Sequence, residues 1–184
     1  MNSISNIETA VLGLLCEKTM YGYEIEKIIE ERNMRNWTEI AFSSVYYVLK
    51  KLEDKKLVKG KIKSSKNKPF RKIYTVTEMG RKAMKDKVKE LISDFERIIC
   101  RFDLGMFNLF LLDTDEILDC FERYLKSADE TIIFLQNSKQ EMEKLGLPDN
   151  VIALATRPLA HVRTEKKWIE EYMNQLKNRE VVKK

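Results

Sequence analysis

One histidine and three cysteines are all that this 184-residue sequence offers to chemistry that depends on imidazole or thiol. Cys16, Cys100 and Cys120 are an odd number with no close pair, which excludes a disulfide framework and a zinc site of the CxxC type. Each falls within an apolar helical pattern and is expected as a small buried hydrophobe. His161 has no histidine or cysteine at ligand spacing, so neither a metal site nor a Cys/His nucleophile can be assembled. A packed or exposed imidazole is expected there rather than a pH switch. Neither a GxGxxG nor a GxxxxGK phosphate loop occurs. Carboxylates are plentiful but scattered along amphipathic patterns, where solvation explains them better than acid/base pairing. The expectation is a protein that is not an enzyme and holds no metal or cofactor.

Long hydrophobic runs are also missing. Stretches such as Leu109 to Leu112 and Val151 to Ala155 fall far short of the roughly 20 residues a membrane helix needs. The opening residues carry no cationic region ahead of an apolar one, so no secretory signal is read and a cytoplasmic location, away from membranes, is expected.

What is abundant is positive charge, unevenly placed. Residues 1–77 hold 15 Lys and Arg against 9 Asp and Glu, whereas residues 78–184 hold 19 against 20. Within 50–72 there are 11 basic residues against only Glu53 and Asp54. Such density beside an amphipathic helix is the electrostatic footprint of a nucleic-acid partner, although a lysine-rich solvated surface gives the same composition.

That helix is predicted over Ser44–Lys56, between Phe42 and Gly60. Val45, Val48, Leu49 and Leu52 share one face, and Tyr46, Tyr47, Lys50 and Lys51 occupy the other. Ser43 or Ser44 stands where an N-cap hydroxyl belongs. Before it, helices are predicted over Ile4–Glu17 and about Tyr23–Arg32, with Gly22 at the break supplying a backbone shape that other residues resist. Trp37, in the polar connection that follows, either pins the loop to the core or stacks on a ligand. After the helix, Lys59–Lys63 and Arg71–Thr77 alternate in polarity around a Ser- and Lys-rich tip, which is a hairpin. Helix, loop, helix and cationic hairpin in that order make a winged helix-turn-helix.

The rest reads as helix. An apolar stripe runs from Ala83 through Leu91 and Phe95 to Ile99, and Gly105 offers a bend in the apolar stretch 102–112. Asp113 or Thr114 caps a helix to about Leu145, with Phe121, Leu125, Ala128, Ile132 and Leu135 at alternating four- and three-residue spacing. A last helix to about Leu176 carries Val151, Ala155, Val162, Ile169, Tyr172 and Leu176, and Pro158 is expected to kink or restart it. Residues 178–184 read as a frayed tail. The fold class is thus mainly α with a small β-hairpin: a winged helix-turn-helix domain over 1–80 and an antiparallel helical domain over 81–184.

Four segments resemble the PadR family of winged helix-turn-helix regulators: Val11–Leu15, Tyr21–Ile25, Ser44–Glu53 and Pro69–Gly80. The helical C-terminal region resembles the branch that includes virulence-activator-like proteins. The family often has proline or arginine where Tyr47 stands and glycine-threonine where Ser43-Ser44 stands. The resemblance implies a homodimer on a pseudo-palindromic double-stranded operator, usually a repressor, with the C-terminal helices forming the dimer interface. Some members release DNA on binding phenolic acids or drug-like molecules, so a small-molecule effector is a further implied partner.

The proposed contacts follow from side-chain chemistry. Ser43, Ser44 and Tyr46 offer donors to a phosphate near a helix N-terminus. Tyr47, Lys50 and Lys51 face base edges or backbone. Lys66, Lys68 and Arg71 on the wing reach flanking backbone, and Tyr21 and Tyr23 brace another phosphate. For Tyr46 and Tyr23, packing between helix and wing is the competing role. Candidate dimer residues are Phe107, Phe110, Phe121, Leu125, Ile132, Val162, Trp168, Ile169 and Tyr172: one chain could satisfy the seams by folding its two helices together, yet Trp168, Phe107 and Phe110 add more apolar surface than a three-helix appendage needs. The rival reading is a winged helix whose basic patch docks an acidic protein, which the lysine content of the wing disfavours.

Overall fold

Ser5 and Glu8 set the start of the first helix. The Glu8 amide donates to Ser5 Oγ at 3.3 Å and the Ser5 amide donates to Glu8 Oε2 at 2.7 Å, a reciprocal capping box. The computed structural model describes residues 4–38, 40, 45–65, 68–97 and 99–183. In it α1 spans Asn6–Glu17, β1 Met20–Tyr21, α2 Gly22–Glu31, α3 Val45–Asp54, β2 Val58–Ser65, β3 Lys68–Val76 and α4 Glu78–Ser93. Then come α5 Arg101–Phe107, α6 Thr114–Lys144 and α7 Asp149–Lys183. The chain divides into two compact units, Met1–Arg97 and Ile98–Lys184.

In the first unit the helical periodicity becomes a core. Val11, Leu12, Leu15, Ile25, Ile29, Val45, Leu49 and Leu52 are all buried, so α1, α2 and α3 each contribute one apolar face. The antiparallel sheet has strand order β1-β3-β2, with Met20 opposite Tyr74 and Val58 opposite Val76. β1 lies outside the sequence expectation, because two residues are too few to show alternation. Thr77 caps α4: its hydroxyl accepts the Gly80 amide at 3.0 Å and reaches back to the carbonyls of Lys56 and Leu57 at 2.9 and 3.0 Å. α4 then packs on α1, where Arg81 donates to the Cys16 carbonyl at 3.2 Å.

Several local expectations are corrected. Trp37 is half exposed, and the connection is pinned instead by the buried Met34 and Ile40. Gly22 has no positive φ; its lack of a side chain makes room for the Tyr46 ring, since a Cβ there would stand 2.6 Å from Tyr46 Cε1. α4 stops at Ser93, short of Phe95 and Ile99, where the Ser93 hydroxyl bonds back to the Lys89 carbonyl at 2.6 Å and Asp94 turns extended. Cys100 and Cys120 are exposed rather than buried, and all three thiols are free.

In the second unit Asp113 and Glu116 form a capping box at 2.9 and 3.0 Å that opens α6. α6 and α7 pack antiparallel through Ile117 and Phe121 against Ile169 and Met173, extended by Ala128, Ala155 and Leu159. Lys166 reaches Asp129 across the seam at 2.5 Å. Pro158 lies inside α7 without restarting it, and the helix continues to Lys183.

The buried Glu8 carboxylate carries a second duty. Lys55 Nζ lies 2.8 Å from both its oxygens, joining α1 to the end of α3. Burial pushes the Glu8 carboxyl up, but the Lys55 ammonium and the Ser5 amide outweigh it and hold the carboxyl below its ordinary 4.5. A carboxyl lower in the folded than in the unfolded chain contributes stability above pH 4.5 that is lost as pH falls through its folded value. Glu8→Gln should therefore cost about 1–2 kcal/mol at neutral pH. In urea unfolding followed by circular dichroism, the gap from wild type should narrow as pH drops below 4.5.

Gly80 gives a test of opposite sign to helix propensity. A Cβ there would stand 2.1 Å from the Leu57 carbonyl oxygen, a backbone atom with no room to retreat. Propensity alone makes Gly→Ala in a helix favourable by about 1 kcal/mol. Here Gly80→Ala should instead lower the unfolding midpoint.

Candidate nucleic-acid interface

α3 presents one face outward. Its four apolar residues Val45, Val48, Leu49 and Leu52 are buried, so Tyr46, Tyr47, Lys50 and Lys51 are left exposed, as their spacing predicts. Each tyrosine is 60% exposed, enough for the hydroxyl and much of the ring to meet a ligand. Tyr46 nevertheless rests over Gly22 at the start of α2, so packing and exposure coexist there. Lys51 Nζ lies 4.6 Å from the Tyr47 ring centroid, a cation–π contact that orders both side chains on the exposed face.

The hairpin register sorts the wing into two faces. Residues opposite one another on paired strands share a face. Val58, Val76, Gly60 and Tyr74 therefore face the core. Lys59 with Thr75, Lys61 with Ile73, and Lys63 with Arg71 face away from it, and all four cations are exposed. β1 widens this outer face, because Tyr21 pairs with Ile73. Tyr21 stacks on Tyr23 at 5.6 Å and 19°, and the Arg71 guanidinium lies 5.1 Å from the Tyr23 ring centroid. Tyr21 and Tyr23 thus form one stack with Arg71, distant from them in sequence, at the cationic face.

Two cations of the basic run are engaged elsewhere. Lys55 pairs with Glu8, as above, and Lys72, on the core-side face, reaches Glu53 Oε2 at 2.5 Å. The hydrogen bond from Lys72 to Glu53 holds the ammonium above its ordinary range. The Gly60 amide donates to Glu53 Oε1 at 3.2 Å. Burial likewise pushes the Tyr74 phenol up.

Of the contacts expected from sequence, Tyr46, Tyr47, Lys50 and Lys51 gather on α3, and Tyr21, Tyr23 and Arg71 gather beside the wing. Ser43, Ser44 and Lys66 lie outside the described residues, and Lys68 enters only as the first backbone position of β3. Sequence reasoning passes over Lys59, Lys61 and Lys63, although their two-residue period is a strand signal. It also passes over Glu53 and Lys72, whose pairing across the helix–hairpin junction has no local signature.

The candidate dimer residues fall into three groups. Phe121 and Ile169 are buried between α6 and α7 of one chain. Leu125, Ile132, Val162 and Tyr172 are half-buried along that seam. Phe107 and Phe110 are about four-fifths exposed (81% and 78%), and Trp168, stacked on Tyr172 at 5.3 Å, is 44% exposed. Among the described residues no three His, Cys, Asp or Glu gather where they could hold a metal ion, and no helix is long and apolar enough to cross a membrane.

Comparison with known proteins agrees with this architecture. The model of the transcriptional regulator PadR-like family matches residues 11–86, which run from α1 through the wing into α4. An uncharacterized protein from Lysinibacillus sphaericus is 31% identical over 101 residues, spanning 55% of this chain and 91% of that one. The negative transcriptional regulator PadR of Bacillus subtilis is 25% identical over 168 residues, 91% of this chain and 90% of that one. The crystal structure of Bacillus subtilis PadR with operator DNA matches with a TM-score of 0.75 at 24% identity, covering 92% of this chain and 98% of that one. The structure of the same protein with p-coumaric acid matches with a TM-score of 0.76 at 24% identity, covering 94% and 99%. With the three-helix core, the wing and the family model coinciding over the same residues, the chain belongs to the PadR-like family of winged-helix transcriptional regulators, which are not enzymes.

Proposed function

We propose that this regulator is a homodimeric repressor of a pseudo-palindromic operator, acting in the cytoplasm and released from DNA by a small aromatic ligand. The observation that carries the DNA reading is a pair of exposed rows: Lys59, Lys61, Lys63 and Arg71 project from one side of the two wing strands, and Tyr46, Tyr47, Lys50 and Lys51 stand exposed on α3. Phosphates meet such a face through charge, and base edges meet Tyr47 and Lys50. Ser43, Ser44, Tyr46, Lys51, Lys66 and Lys68 complete the assigned DNA contacts, and Tyr21 and Tyr23 hold Arg71 through the ring stack. Residues 1–80 form the DNA-binding part and 81–184 the dimerising part. Repression is supported by the name of the Bacillus subtilis relative, a negative regulator, and the operator by that protein's DNA complex. The ligand class is supported by its p-coumaric acid complex and by the rings of Phe102, Phe121, Tyr124, Trp168 and Tyr172 gathered in the second unit of this chain.

Dimerisation is supported by apolar surface that one chain leaves uncovered. Leu104, Phe107, Phe110 and Leu111, within eight residues of one another, are each at least 69% exposed, the kind of clustered apolar exposure that marks a protein–protein interface.

A duplex selected by this protein from a random-sequence pool should bind with log K falling linearly in log salt. Replacing Lys61, Lys63 and Arg71 with alanine should lower the slope by about 0.9 for each phosphate no longer neutralised, with similar weakening on selected and random duplexes. Tyr47→Ala should instead change which duplex is preferred. No retarded DNA at low salt would remove the DNA reading, and p-coumaric acid that leaves the selected duplex bound would remove that ligand. Light scattering should report a dimer at micromolar concentration, and Phe107→Glu with Phe110→Glu should shift it to monomer without lowering the unfolding temperature.

A further inference from the structure

Glu53 is out of place by charge. It stands in the most cationic stretch of the chain, three residues after Lys50 and seven after Tyr46 on the same side of α3. A carboxylate next to a surface that receives a polyanion weakens binding by repulsion, and a surface shaped only for attraction would not keep one.

Its surroundings give it another task. One carboxylate from α3 holds both wing strands: Oε1 accepts the Gly60 amide of β2 at 3.2 Å, and Oε2 accepts the Lys72 ammonium of β3 at 2.5 Å. The Glu53 and Lys72 side chains are 29% and 39% exposed, so the bridge lies at the protein surface and acts by joining two strands to one helix residue. The space is shaped for it, because a Cβ on Gly60 would stand 2.1 Å from Lys72 Cε and 2.7 Å from Glu53 Oε1. Lys72 is further seated over the Tyr74 ring, 5.5 Å from its centroid, on the face of β3 opposite Lys59, Lys61, Lys63 and Arg71.

We propose that Glu53 is a positioning residue for DNA recognition: by binding both wing strands to α3, it fixes the angle at which the cationic wing and the exposed row of the helix meet one duplex. Rigidity established in the free protein reduces the ordering cost at the moment of binding. The inference rests on the DNA-binding reading above and adds to it that the bridge, not attraction to phosphate, is the role of both Glu53 and Lys72.

The test measures affinity for a selected duplex across salt concentrations, with thermal unfolding alongside, for wild type, Glu53→Gln, Lys72→Met, the double variant and Gly60→Ala. Glu53→Gln should weaken binding about fivefold even though it removes a negative charge. Lys72→Met should weaken it by a similar factor with an unchanged salt slope, and the double variant should be no weaker than either single one, as expected for one shared interaction. Gly60→Ala alters no charge, displaces the bridge by its methyl group, and should reproduce the weakening. Tighter binding by Glu53→Gln overturns the proposal, since that is the effect of deleting a bare repulsive charge. A slope reduced by about 0.9 in Lys72→Met overturns it by making Lys72 a phosphate ligand. Lower unfolding temperatures with unchanged affinity overturn it by making the bridge structural only. Failure of wild type itself to bind any duplex is told apart at once, because it removes the DNA reading and this inference with it.

Discussion

The first unit turns on the carbonyl oxygen of Leu57. It accepts both the amide and the hydroxyl of Thr77 at 3.0 Å, and it excludes any side chain at Gly80. The hairpin leaves the core at Val58 and returns at Val76, so this one acceptor ties its two ends together. From that knot the register follows, and from the register the identity of each face. A slip of β2 by one residue would turn Lys59, Lys61 and Lys63 toward the core and send the buried Val58 outward, a rearrangement that its burial forbids. The cationic face is thus a consequence of how the hairpin is closed rather than of lysine content alone.

The basic run is best understood as two populations. Lys55 and Lys72 are bound to Glu8 and Glu53, carboxylates from α1 and α3, and serve to hold elements together. Lys50, Lys51, Lys59, Lys61, Lys63 and Arg71 remain exposed. Net charge counts all of them equally, whereas geometry separates the cations that join elements from those left at the surface. Tyr23 and Tyr47 add a second distinction, since each lies against one exposed cation and limits its wandering. Ordered cations lose less side-chain freedom on meeting a partner than free ones do.

Much of this is written in the periodicity of the chain. The buried rows of α1, α2 and α3 follow from three- and four-residue spacing, and the hairpin from alternation around a polar tip. The cap residues Ser5, Thr77 and Asp113 stand where their chemistry places them. What periodicity does not carry depends on contacts between distant segments. β1 exists because Met20 and Tyr21 find β3, not because two residues prefer a strand. α4 ends at Ser93 although the apolar stripe continues, since a stripe marks a face and says nothing about where the backbone turns. Trp37 is large and apolar, yet it stays half exposed while the smaller Met34 and Ile40 are buried. The seam spacing of α6 and α7 is plain, but a heptad does not say whether its partner is the same chain or another. Phe121 and Ile169 meet within one chain, whereas Phe107 and Phe110 stay open.

The exposed row of α3 has an evolutionary corollary. Its residues are relieved of packing by the buried row behind them, and surface changes of this kind usually shift stability by less than about 0.5 kcal/mol. Tyr47 and Lys50 can therefore drift between related proteins at little thermodynamic penalty, and under the function proposed above target preference would diverge while the scaffold persists. Tyr46 is under a tighter constraint, because its ring occupies the space that Gly22 leaves bare. Duplicated copies of this chain are thus free to vary Tyr47 and Lys50 one at a time, but can replace Gly22 by a larger residue only if Tyr46 changes with it.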